Sequence, residues 1–293
     1  MASLKDIRHR ILAVKNIQKV TRAMKMIAAV KLRRAQSNME KARPYAYKIN
    51  DVLMHLLPTI DRSLNRLLEI REPQNIGVVV VTADRGLCGS FNSNILRKAS
   101  EILVEYQRES IKLICVGRKG RDFFRKLDYN IIGDYTNFWR NLNFGHAISI
   151  VEQITELYIK HDLDRVDIIY NNFKNVFQQQ VITQQFLPLI LSEELSENTR
   201  KEDFGEYLFE PSEEVIVNSL VPRHLNIQMW RVLLESNAAE QAARMNAMAN
   251  ATDNASEVIS TLTLNYNKAR QAAITRELLD IVGGAEALRK ARR

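Results

Sequence analysis

The chain has 293 residues, 46% of them hydrophobic, with only 10 Gly and 6 Pro and a formal net charge of +8, a balance that suits one or two domains rich in long helices. Its longest apolar run, Ile76 to Val81, is far short of the about 20 residues that a membrane-crossing helix needs, so any membrane role is expected to be peripheral. The charge-studded stretch from Lys5 to Arg34 leaves no room for a secretory h-region, and the protein is expected to stay inside the cell.

Residues 1–48 hold thirteen Lys and Arg against Asp6 and Glu40, a local charge of +11 that leaves −3 for the remainder. A segment this basic calls for an acidic surface, whether nucleic acid, anionic lipid or an acidic protein. The Arg-rich start also suits a mitochondrial presequence, but that reading gives no reason for the pattern to continue from Lys31 to Lys48.

In chain order, residues 1–57 read as one helix. Ile7, Ile11, Val14, Ile17, Thr21, Met24, Ala28, Leu32, Ala35, Met39 and Ala42 recur at threes and fours with one stutter. Ser3 and Asp6 suit its N-terminus, and Pro44 is expected to bend or loosen its far end. Residues 74–210 alternate short strands with helices. Strands are predicted near Ile76–Thr82, Lys112–Val116, Asn130–Asp134 and Val166–Tyr170, and helices near Asn94–Gln107, Lys119–Lys126 and Gly145–His161. That alternation predicts an α/β domain with a mostly parallel sheet, to which Gln178–Leu187 adds an edge strand; Ser192–Gly205 reads as a loop. Residues 211–293 return to helical spacing at Met245, Met248, Thr252, Ala255, Ile259, Leu262, Tyr266, Ala269 and Ala273. This is a coiled-coil seam whose small residues admit a close partner helix, with breaks expected near Pro222 and at Gly283-Gly284.

The turn Asp84-Arg85-Gly86-Leu87-Cys88-Gly89-Ser90 lies where α/β folds bind phosphate. It lacks the Lys-Ser/Thr of a P-loop and the three spaced glycines of a dinucleotide site, which favours a tight structural turn. Cys88 and Cys115, placed at the ends of two predicted strands without ligand spacing, read as buried reduced thiols. His9, His55, His146, His161 and His224 show no zinc spacing and no nucleophile-elbow context. No catalytic, metal or cofactor set is expected. Aromatic residues are absent from Met1 to Pro44, so nucleic acid would have to be held through phosphates alone.

The order of motifs resembles the gamma subunit of F-type ATP synthases. Carrying the resemblance are Asp6-Ile-Arg8, Thr21-Arg-Ala-Met24, the Asp84–Gly89 turn, Glu240-Gln-Ala-Ala-Arg-Met245, Ala251-Thr-Asp-Asn254, Tyr266 to Ala273 and Ile274 to Leu288. It implies an antiparallel coiled coil of the terminal helices bracketing a Rossmann-like domain, and a rotor shaft inside a hexamer of alpha and beta subunits, with epsilon and the c-subunit ring as further partners. On this resemblance Met24, Lys25, Arg244, Gln271, Thr275 and Glu277 meet the beta subunits, and Tyr207 and Glu210 the c-ring or epsilon. It also implies a non-catalytic subunit without cofactor or nucleic-acid partner, held indirectly at the cytoplasmic face of a bacterial membrane. The interval from Leu191 to Phe209 has no room for the dithiol insertion of chloroplast-type proteins, which points to the bacterial type, while the tail from Leu288 to Arg293 is more basic than the family's apolar tip. Two other classes fit the bare pattern: a nucleotide-binding α/β protein with helical arms, and a basic coiled-coil protein that binds nucleic acid.

Overall fold

The computed structural model describes residues 4–56, 61–189, 210 and 212–291, with side-chain detail excluding 54, 55 and 286–291. Its elements are α1 (Leu4–Leu56), β1 (Ile76–Val81), α2 (Phe91–Leu103), β2 (Ile111–Val116), α3 (Arg118–Lys126), β3 (Ile131–Tyr135), α4 (Phe144–Ile159), β4 (Arg165–Phe173), β5 (Gln179–Leu187) and α5 (Glu213–Ala291). The described residues fall into two compact units, one built from the chain up to Ile27 and from Met245 onward, the other spanning Ala28–Arg244.

In the larger unit the five strands take the order β3-β2-β1-β4-β5. β1 runs parallel to β2 and β4, β3 parallel to β2, and β5 antiparallel to β4 at the edge. The central strand Ile-Gly-Val-Val-Val-Val is buried throughout, as expected for a parallel strand covered on both faces. Val79 and Val81 join Ile150, Ile154 and Tyr158 of α4 and Val217, Val221 and Leu225 of α5 in one apolar cluster. Val78 and Val80, equally buried, point to the opposite face, where α2 and α3 pack on β1 and β2.

Several expectations are corrected. α2 begins at Phe91 and stops at Leu103, short of Gln107, because the chain turns at exposed Val104 before the short 3-10 turn Arg108–Ser110. α5 continues through Pro222, since Val217, Val221, Leu225 and Met229 are all fully buried along one face. Each such burial contributes about 1.5–3 kcal/mol, and together they outweigh the about 3 kcal/mol cost of an interior proline. Gly283-Gly284 does not stop the helix either; glycine costs about 1 kcal/mol per position but still supplies every backbone hydrogen bond. The predicted loop Ser192–Gly205 lies outside the described residues.

Candidate functional site

In the smaller unit α1 and α5 pair antiparallel. The Thr252 hydroxyl lies 2.7 Å from the Met248 carbonyl and shares a hydrogen bond of 2.8 Å with the Thr21 hydroxyl. Four residues along, Gln18 Nε2 donates to Ser256 Oγ at 2.6 Å. These contacts correct the predicted stripe: Ile17 is 56% exposed and Gln18 takes the seam position in its place. A stutter rotates the stripe by part of a turn, and the polar residue is kept because Ser256 faces it. Thr21, Met248, Thr252 and Ala255 are buried along the seam. Beyond Ala273 the described side chains of α5 are exposed, including Ile274, Leu278, Leu279, Ile281 and Val282.

On this pair Met24 is half-buried and Lys25 exposed. Gln271, Thr275 and Glu277 are exposed on α5, and the Thr275 hydroxyl is turned back onto the Gln271 carbonyl at 3.0 Å. Exposure of the large apolar side chains beside them marks a surface that a partner covers. Glu210 is exposed, and Tyr207 lies outside the described residues.

Arg244 sits in the larger unit and is engaged there. Its Nη1 donates to Glu240 Oε1 at 2.6 Å and its Nη2 to the Gly86 carbonyl at 3.3 Å, so it ties α5 to the turn after β1. Burial raises the Glu240 carboxyl above its ordinary range, and the Arg244 guanidinium opposes that shift. The turn itself is braced from within. Asp84 accepts from the Arg118 and Asn137 backbone N–H groups at 3.0 and 2.9 Å, and Asn92 accepts from Ala83 N at 3.0 Å. Leu87 adopts φ 62° and Gly89 φ 58°. Next to it Gly117, at φ +97°, lies so near strand β1's end that a Cβ would come within 2.1 Å of the Thr82 carbonyl oxygen. The Asp84 carboxylate is thus engaged by two backbone N–H groups from segments after β2 and β3. Of these braces, Glu240 and Arg244 at helical i,i+4 spacing left a signal in the sequence; Asp84 with Arg118 and Asn137, and Arg244 with Gly86, join segments far apart in the chain.

Cys88 is not at a strand end as expected but in this turn, past β1, while Cys115 lies in β2; both are free and buried. Burial pushes the Cys88 thiol up and the Cys115 thiol to about 12. His146 completes the N-terminal capping box of α4 with Asn143, and buried His224 is pushed down to about 4 by desolvation. Among the described residues no group of three or more His, Cys, Asp or Glu is placed to hold a metal ion. No helix of the described residues is long and apolar enough to cross a membrane.

Comparison with known proteins gives concordant matches. The family model described as ATP synthase matches residues 3–288. An ATP synthase gamma chain of Chloroherpeton thalassium is 49% identical, covering 98% of this chain and 99% of that protein. Another, of Chlorobaculum parvum, is also 49% identical, over 99% of this chain and all of the relative. Among solved structures, a chain of the Tetrahymena thermophila mitochondrial ATP synthase central stalk and c-ring aligns with TM-score 0.63 at 31% identity, covering 79% of this chain and 99% of that one. A chain of the Euglena gracilis mitochondrial ATP synthase covers 99% of this chain and 96% of its own length, with TM-score 0.72 at 21% identity, and speaks for the fold.

Proposed function

The chain belongs to the ATP synthase gamma-chain family, in its bacterial form, and we propose that it works as the turning shaft of a proton-translocating complex and performs no chemistry itself. The observation that carries this reading is the antiparallel α1–α5 pair, polar-locked at Thr21–Thr252 and Gln18–Ser256, whose outer faces leave large apolar side chains exposed. A surface of that kind gains stability only inside a sleeve of other subunits. The alpha and beta subunits supply the sleeve; epsilon and the c-subunit ring meet the α/β domain. Membrane association is then indirect, peripheral and on the cytoplasmic face.

Within the sleeve, Met24 and Lys25 on α1 and Arg244, Gln271, Thr275 and Glu277 on α5 are the beta-facing residues. Tyr207 and Glu210 form the foot toward the c-ring and epsilon. Functionally the chain divides into a helix of residues 1–57, an α/β body of 74–210 and a helix of 211–293. The two helices present different side chains around the shaft, so each orientation favours a different conformation at each catalytic site, and turning moves that set of affinities from site to site. The basic α1 favours approach of acidic partner surfaces, an attraction weakened by salt. Purification through a tag on the full chain from native membranes tests the assignment: alpha, beta, epsilon and c should all come with it. Recovery of the chain alone from intact complexes would overturn it.

Two further outcomes are expected. Calorimetry of the full chain with Mg-ATP should give no micromolar binding, because the Asp84 carboxylate is committed to two backbone N–H groups and the turn has no Lys-Ser/Thr clamp. A micromolar dissociation constant would restore the nucleotide-binding alternative. Hydrolysis by the assembled complex should also be the same before and after a dithiol reductant, since both thiols are buried and held protonated at neutral pH. A reversible several-fold change lost in Cys88→Ser would contradict this.

A further inference from the structure

At the carboxyl ends of β1, β2 and β3 the chain gathers an unusual surplus of positive charge. One cleft is lined by Lys31 of α1, Asp84 and Arg85 after β1, Arg118 after β2, Asn137, Trp139 and Arg140 after β3, and Glu240 and Arg244 of α5. Its two carboxylates are already spent. Asp84 accepts from the Arg118 and Asn137 backbone N–H groups, and Glu240 holds Arg244. Lys31, Arg85, Arg118 and Arg140 have no carboxylate within 4.0 Å among the described residues; Arg118 donates instead to the Asn137 side-chain oxygen. Trp139 lines the same cleft, and its indole N–H is buried without a hydrogen-bond partner. A cleft whose unspent polar groups are donors selects an anion, and in open α/β sheets small ligands enter just outside the carboxyl ends of the strands.

We propose that this cleft is a binding site for a small, multiply charged oxyanion of the phosphate or pyrophosphate class. The ligand bridges Arg85 and Arg140, with Lys31 and Arg118 adding charge around it. The site differs from a nucleotide pocket in two ways that the geometry dictates. Both carboxylates of the lining already hold hydrogen bonds within the protein, so the metal-free anion is the ligand and Mg2+ competes by complexing it. Trp139 is the one aromatic side chain among the described lining residues, so affinity follows anion charge more than the presence of a nucleoside. The site is exposed, and binding weakens with ionic strength.

Titration of the full chain with metal-free inorganic pyrophosphate at constant ionic strength tests this, read by calorimetry and by the fluorescence of Trp139 in a Trp230→Phe background. One saturable site is expected, with inorganic phosphate weaker and excess Mg2+ reducing the pyrophosphate affinity. Arg85→Gln and Arg140→Gln should each weaken binding about tenfold. Arg97→Gln, an exposed cation on α2 that faces Glu101, should leave it unchanged and so controls for loss of net charge. Absence of saturable binding by calorimetry, or equal weakening by all three variants, would overturn the proposal. So would displacement of pyrophosphate by an oligoglutamate peptide at equal concentration, which would reassign the cleft to an acidic protein segment.

Discussion

A reversible disulfide between Lys25→Cys or Thr275→Cys and a facing residue of the beta subunit is expected to abolish both ATP synthesis and multi-site hydrolysis, with full recovery on reduction. Both positions are exposed on the paired helices, so a bond at either can reach outward without disturbing the seam at Thr21 and Thr252. If the chain transmits work by turning, one covalent link to a stationary subunit stops every catalytic site together. A disulfide from Glu210→Cys to the c-ring joins parts that turn together and should leave turnover largely intact. The native thiols are best replaced according to their surroundings. Cys88 accepts from Asn92 Nδ2 at 3.2 Å, which a serine oxygen can also do, whereas Cys115 is fully buried in β2 and suits Ala. Full turnover in a complex whose beta link is shown to be complete would disprove the shaft function.

Arg244→Ala should destabilise the folded chain by about 3–5 kcal/mol at pH 8, because it leaves the Glu240 carboxylate, only 7% exposed, without its charge partner. A loss of that size lowers Tm by roughly 10 °C in a unit of this size. The sign of the pH dependence follows from Glu240 itself. Burial already raises its folded pKa, and removing the guanidinium raises it further. A group so shifted contributes stability below its unfolded pKa and loses it as pH rises through the folded value. The deficit of Arg244→Ala relative to the parent should therefore be small near pH 4.5 and full at pH 8, measured by thermal unfolding. Adding Glu240→Gln should recover much of the loss at pH 8. An equal deficit at both pH values would place the effect in lost packing or in the Gly86 contact, not in the buried charge.

Much of this architecture was legible in the sequence because it depends on local periodicity. The three-and-four spacing from Met245 to Ala273 is the least exposed stripe of α5, buried at Met248, Thr252 and Ala255 and half-buried at its other positions, and the strand-helix alternation between the long helices gives four parallel strands with the edge strand where Gln178–Leu187 placed it. Where the local rule failed, a partner distant in the chain had decided the outcome. Gln18 displaced Ile17 from the seam because Ser256 faces it, and Pro222 stayed helical because the apolar cluster holds the turns around it.

The sequence by itself determined the basic first helix, the small-residue seam, the mostly parallel sheet and, through the order of its motifs, the family. Each of these is written in neighbouring residues or in the identity of short segments. Only the tertiary structure decided the strand order β3-β2-β1-β4-β5, the use of Asp84 to brace two distant backbone N–H groups, the hold of Arg244 on the Gly86 turn, and the gathering of Lys31, Arg85, Arg118 and Arg140 around one cleft. Those residues lie tens to hundreds of positions apart, and what unites them is the burial of the sheet between its covering helices, a long-range free-energy balance that no local pattern encodes.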